Sequence, residues 1–106
     1  MKVWMTKELE ELYFTGKSKV YKDVVRSPEL YRGFYKAVNA MEEVVAVDDL
    51  AGISYLHYEK LKHQLSGYSS VRLSNRYVHR LLFTESEDGF ELKLIEIDNT
   101  HYGNKS

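Results

Sequence analysis

Residues 55–98 read "YLHYEKLKHQLSGYSSVRLSNRYVHRLLFTESEDGFELKLIEID". Within this stretch "YLHYEKLK", "SSVRLS", "YVHRLLFTE" and "FELKLIEID" alternate apolar and polar residues, which predicts four strands. The breaks between them, "LSGY", "SN" and "SEDG", carry turn chemistry. Upstream the period changes. Ser27 is a predicted N-cap, Pro28 fits the first helical position and Glu29 the first turn, after which Leu30, Phe34, Val38 and Met41 form one apolar stripe. This helix is expected to run to about Val44. A first helix follows Thr6 as N-cap, has Glu8, Glu10 and Glu11 in its early turns, and stops at Gly16. Met1–Met5 reads as an edge strand, "GKSKVYKD" as a loop, and "VDDLAGI" as a loop with room for one helical turn. Helices followed by hairpin-connected strands imply an α+β domain, with two helices packed on one face of an antiparallel sheet. The polar tail "NTHYGNKS" is expected to fray after Tyr102.

A length of 106 residues fits one domain spanning 1–106. Such a chain buries about 60–70% of its unfolded surface and needs no staples. The absence of cysteine excludes disulfides, thiolate metal sites and cysteine nucleophiles, and suits a reducing compartment. No signal-peptide core and no apolar run of spanning length is visible, so a cytoplasmic protein with no membrane partner is expected.

The net charge of −1 hides an uneven distribution. Residues 57–83 hold Lys60, Lys62, Arg72, Arg76 and Arg80 against Glu59 alone, with His57, His63 and His79 among them. Residues 84–98 are acidic, with Lys93 the one cation. A basic patch on a near-neutral protein can hold a polyanion without long-range steering. Most of the nine tyrosines are expected to be packing residues. The histidines lack ligand spacing and no carboxylate set completes a site, so no metal is expected. A glycine-rich phosphate loop and a serine elbow are also missing, and no cofactor is implied.

What remains is a proton-active, basic cluster on neighbouring strands. Alternation puts Glu59, Leu61 and His63 on one side of a strand and Lys60 and Lys62 on the other. Such a set suits RNA cleavage by its own 2′-hydroxyl, which needs a base, an acid and a cation for the phosphorane. It also suits a plain solvated face, and residue types alone leave both readings open.

The stretch "EKLKHQLSGYSSVRLSNRYVHRLLF" resembles the toxins of bacterial toxin–antitoxin pairs that include RelE, YoeB and HigB. Glu59, Leu61, Lys62, His63, Leu65, Ser66, Gly67, Tyr68, Ser70 and Arg72 fall on a YoeB-like pattern without a gap. His79, Arg80 and Leu81 match its "HRL" triplet, and His101-Tyr102 its terminal pair. The first half, with "LYFTGKS", is more similar to the HigB branch, the plasmid maintenance killer proteins. The resemblance implies a RelE-like α+β fold, two N-terminal helices on a curved four- to five-stranded antiparallel sheet. It implies a metal-independent mRNA endonuclease acting in the ribosomal A site. By position, Glu59 would be the base, Arg80 the phosphorane-stabilising cation, His101 the acid, and Tyr102 would orient the RNA. Lys60, Lys62, His63, Arg72 and Arg76 would hold RNA or the ribosome. HigB-like members use a lysine where YoeB-like members use glutamate, so the base is Glu59 or lysine-centred.

The sequence departs from the YoeB pattern in three places. The segment between Arg72 and Arg80 is about two residues longer, within the ordinary range of hairpin connections, which leaves Arg76 as an alternative to Arg80. Ser69 stands where the pattern has an aromatic, and four residues follow Tyr102. The implied partners are the ribosome, mRNA and a cognate antitoxin. That antitoxin is helix-turn-helix in the HigB manner or has a tail that orders on binding in the YoeB manner. A homodimer or a toxin–antitoxin hetero-oligomer is compatible with either. The alternatives are a binding poison on the same fold, as in the gyrase-directed ParE branch, and an inactive scaffold.

Overall fold

The computed structural model describes residues 1–100, so His101, Tyr102 and the tail lie outside the described residues. Strand β1 (Lys2–Met5) leads into helix α1 (Lys7–Thr15). Thr6 caps that helix, its hydroxyl accepting from the Leu9 N–H at 3.4 Å. At the other end Gly16 takes a left-handed φ of 72° and returns its N–H to the Leu12 carbonyl. Helix α3 (Pro28–Glu43) starts as expected at Ser27, whose hydroxyl accepts from the Leu30 N–H, and ends with Val44 as C-cap. Its stripe of Leu30, Phe34, Val38 and Met41 is buried.

Between them lies a short helix, α2 (Lys22–Arg26), where a loop was expected. The Ser18 hydroxyl accepts from the N–H groups of Val20 and Tyr21, turning the chain, and Val24 is fully buried. Five residues carry too little periodicity to announce a helix, and tertiary burial of Val24 decides the outcome. The "VDDLAGI" segment forms a 3₁₀ turn over Val47–Gly52.

The sheet has five strands in the order β1-β5-β4-β3-β2, with β2 at Glu59–Lys60, β3 at Ser69–Arg72, β4 at Arg80–Glu85 and β5 at Glu91–Asp98. Four of them form the antiparallel ladder expected from the alternation, whereas β1 pairs with β5 in parallel at the edge. A bulge between Leu82 and Phe83 shifts the β4–β5 register, and bulges of this kind bend a strand and raise its twist. The first expected strand shrinks most. Ser54–Leu56 is a 3₁₀ turn that buries Leu56, His57 is left-handed with φ 47°, and only Glu59 and Lys60 pair. The chain leaves the sheet again at a 3₁₀ turn over His63–Leu65, so His63 does not continue the alternation begun by Glu59.

The core lies between the helices and one sheet face, where Leu9, Leu12, Phe34, Val38 and Met41 meet Val71, Leu81, Phe83, Leu92, Leu94 and Ile97. Helix α3 approaches the sheet closely at Gly33. A Cβ there would sit 1.9 Å from the Leu73 carbonyl oxygen, so only glycine permits this packing distance.

Candidate functional site

The ladder registers define what stands on the other face. Glu59 pairs with Ser70, Ser70 with Leu82 and Leu82 with Glu96, forming one cross-strand row. Two residues along, Arg72 pairs with Arg80 and Arg80 with Asp98, forming the next. Alternation puts both rows on the face away from the core residues Val71, Leu81 and Ile97.

Arg80 is the centre of this face. Its side chain is only 5% exposed, a costly place for a guanidinium unless oxygen atoms surround it. They do. Nε donates to the Ser70 hydroxyl at 2.8 Å, Nη2 donates to the His57 carbonyl, and Glu59 Oε1 stands 3.8 Å from Nη2. Glu59 itself is half exposed. A fixed buried cation thus stands beside a solvent-accessible carboxylate. Arg72 adds a second guanidinium to the same row, and its Nε is buried without a hydrogen-bond partner among the described residues. Arginines directly opposite on adjacent strands repel unless an anion comes between or beside them.

The other expected residues are dispersed. Lys60 points to the opposite side of β2 and pairs with Glu85 at 3.8 Å, as the alternation requires. Lys62 and His63 are exposed at the turn after β2, and His63 has a left-handed φ of 61°. Arg76 is brought elsewhere. It pairs with Glu29 in the first turn of α3 at 3.4 Å, beside Ser74, whose hydroxyl donates to the same carboxylate. Of the two arginines the sequence left open, Arg80 is therefore the one that stands next to Glu59. His101 and Tyr102 lie outside the described residues, although β5 ends at Asp98, the register partner of Arg80.

His79 does not face this site. Its Nε2 meets Asp23 of α2 at 2.5 Å, and Asn99 donates to the same carboxylate oxygen at 3.4 Å. Burial alone would raise the Asp23 pKa, but the hydrogen bonds from His79 and Asn99 outweigh it and hold the carboxyl below its ordinary value. This contact fastens α2 to the start of β4. Ser70 and the His57 carbonyl are the two site groups that sequence reading did not single out. A backbone carbonyl carries no residue-type signal, and Ser70 was visible only as one matched position in the "SGYSSVR" pattern.

A cleft of about 710 Å³ among the described residues is lined not by Arg80 or Glu59 but by Lys60, Tyr68 and the Glu85–Phe90 turn. Its main polar groups already have partners: Glu85 receives Tyr58, Ser69 and Lys60, and Asp88 receives Ser86 and the Phe90 N–H. Satisfied groups in a mostly acidic cleft make a poorer reaction site than the Arg80 face. Among the described residues no cluster of histidine and carboxylate side chains is arranged to hold a metal, and no helix is long and apolar enough to cross a membrane.

A comparison with protein-family models and one with curated protein sequences match nothing in this chain. Solved structures do match. The YoeB/ParE toxin from Agrobacterium tumefaciens is similar over 93% of this chain and 98% of its own, with a TM-score of 0.55 and 20% identity. The toxin–antitoxin heterotetramer of YoeB and YefM from Staphylococcus aureus contains a chain similar over 91% of this one and 92% of its own, with a TM-score of 0.53 and 19% identity. At these identities the likeness is one of fold, and the chain has the α+β fold of the YoeB/ParE toxins.

Proposed function

We propose that the protein is the toxin of a toxin–antitoxin pair and an endoribonuclease that cuts ribosome-bound mRNA. The observation that carries this reading is the half-exposed Glu59 carboxylate 3.8 Å from the buried Arg80 guanidinium, on the sheet face away from the core. Glu59, half exposed, takes the proton from a ribose 2′-hydroxyl. The freed oxygen attacks the adjacent phosphorus, and Arg80 stabilises the extra negative charge of the phosphorane. An acid then protonates the departing 5′-oxygen, leaving a 2′,3′-cyclic phosphate and a 5′-hydroxyl end. His101 is proposed as that acid, with Tyr102 orienting the RNA, on the strength of the matched terminal pair. Arg72 holds phosphate beside the reacting one, Lys60, Lys62 and Arg76 serve as peripheral cations toward RNA or the ribosome, and His63 contacts the same partners. No metal or cofactor takes part in the scheme.

A cognate antitoxin follows from the same reading, because a cytoplasmic nuclease that cuts the cell's messages needs an inhibitor made with it. An acidic or apolar segment suits a basic face of this kind. The test is induced expression of the wild type beside His101→Ala, mapping mRNA 5′ ends on ribosomes. New ends inside translated codons for the wild type alone support the nuclease and the acid. Growth arrest without new ends points to a binding poison, and no arrest from either protein to an inert scaffold.

A further inference from the structure

We propose that Ser70, together with the backbone carbonyl of His57, is the device that positions Arg80, occupying one edge of the guanidinium so that its other edge faces the reacting phosphate. The inference rests on the nuclease reading and names two groups that the reading itself does not use.

A guanidinium is a rigid plane with five N–H donors. Nε–H and one N–H of Nη2 lie along its side edge, and the remaining donors of Nη1 and Nη2 lie along its end. In this structure the side edge is occupied: Nε donates to Ser70 Oγ at 2.8 Å and Nη2 to the His57 carbonyl. Ser70 is fully buried on the strand next to Arg80, one diagonal step away in the ladder, within reach of a long side chain. The His57 carbonyl is aimed by local geometry. The 3₁₀ turn over Ser54–Leu56 closes through the His57 N–H to the Ser54 carbonyl, and His57 itself has φ 47°, a conformation L residues adopt sparingly. A non-glycine residue held in this region next to a buried cation is a constraint that the surroundings maintain.

The consequence concerns Glu59. An arginine free to turn would close on a neighbouring carboxylate as a two-pronged pair, which is the preferred geometry of the two groups. Here Glu59 Oε1 stays 3.8 Å from Nη2, beyond hydrogen-bond distance, because the side edge is tied to Ser70 and His57. The carboxylate is left able to take a proton, and the end of the guanidinium is left to an oxyanion. Removing the Ser70 hydroxyl leaves Nε–H without its acceptor, and the guanidinium, no longer held along its side edge, swings its end toward Glu59, silencing base and cation together.

Two readouts test this. In ¹⁵N spectra the Arg80 Nε–H should be protected from solvent exchange in the wild type and in Ser70→Thr, and exchange freely in Ser70→Ala. In single-turnover cleavage on ribosomes carrying a translated mRNA, Ser70→Ala should be slower by about tenfold to a hundredfold at saturation, as expected when a catalytic group is misplaced by about an ångström. Its half-saturation should be unchanged, and Ser70→Thr should restore the rate. Thermal melting establishes that each variant is folded; should the added methyl of Ser70→Thr prevent folding, Ser70→Ala and the Nε–H signal decide. A protected Nε–H in Ser70→Ala, or cleavage by that variant at the wild-type rate, overturns the inference while leaving the nuclease reading intact. A wild type that cuts nothing overturns both.

Discussion

Glu59 Oε1 stands 3.8 Å from Arg80 Nη2, one partner half exposed and the other almost entirely buried. This asymmetry predicts how substitutions divide between activity and stability. Glu59→Gln should lower cleavage by about 10²–10⁴-fold as a lost general base. The exposed side of the pair contributes little to stability, so the melting temperature should barely move. Arg80→Ala should lower cleavage by about 10²–10³-fold through loss of phosphorane stabilisation. The double variant should be little worse than the poorer single one, since the two groups act as a unit. Single-turnover rates on programmed ribosomes check all three.

The close approach at Gly33 gives a prediction opposite in sign to helix propensity. Alanine is favoured over glycine in a helix interior by about 1 kcal/mol. At this position, however, the added Cβ would meet the Leu73 carbonyl oxygen at 1.9 Å and push α3 off β3. Gly33→Ala should therefore destabilise the protein by about 2 kcal/mol or more, as overpacking does. Thermal unfolding should show a loss of roughly 10 °C for a domain of this size.

Asp23 predicts a change at acid pH. Its carboxyl is held below the ordinary value despite its partial burial, by hydrogen bonds from His79 and Asn99. A depressed carboxylate stabilises the fold fully above its unfolded pKa, near 4, and this contribution is lost as pH falls through the lower folded value. Asp23→Asn should cost about 1 kcal/mol at neutral pH, less than is usual for a hydrogen bond to a charged group because Asp23 is partly exposed. The difference in melting temperature between wild type and variant should shrink below about pH 4.

Tyr58 predicts a change at alkaline pH. Burial, reinforced by the Glu85 carboxylate it donates to, pushes its phenol up to about 12. A group raised in the folded state contributes stability that is full below the unfolded pKa, near 10, and disappears as pH rises through the folded value. Tyr13, also raised to about 12 by burial and by Glu42, acts in the same sense. Ultraviolet titration of the folded protein should show phenols ionising late, and Tyr58→Phe should remove one of them and flatten the alkaline loss of stability.

Much of this fold was legible because local signals and tertiary demands agree. Thr6, Gly16 and Ser27-Pro28 mark helix ends through their own side chains or backbone, and the Leu30–Met41 stripe is the face that the core buries. The alternation around Val71, Leu81 and Leu92 likewise coincides with the ladder. Helix α2 and the shortened β2 were illegible for one reason: each is settled by tertiary contacts, the burial of Val24 and the His79 contact of Asp23 in the first case, the burial of Leu56 in the second. At the site, alternation already separated Glu59 from Lys60. The choice between Arg76 and Arg80 depended on where a longer connection ends; the structure pairs Arg76 with Glu29 and sets Arg80 beside Glu59, positions that spacing did not fix.

The most direct test of the central claim is the chemistry of the RNA ends, using ribosomes carrying a translated message, the purified wild type and a folded Arg80→Ala variant. The account predicts cuts within codons, upstream fragments ending in a 2′,3′-cyclic phosphate, downstream fragments starting with a 5′-hydroxyl, and near-silence from the variant. Fragments with 5′-phosphate ends, cutting by Arg80→Ala at the wild-type rate, or no cutting at all would contradict it.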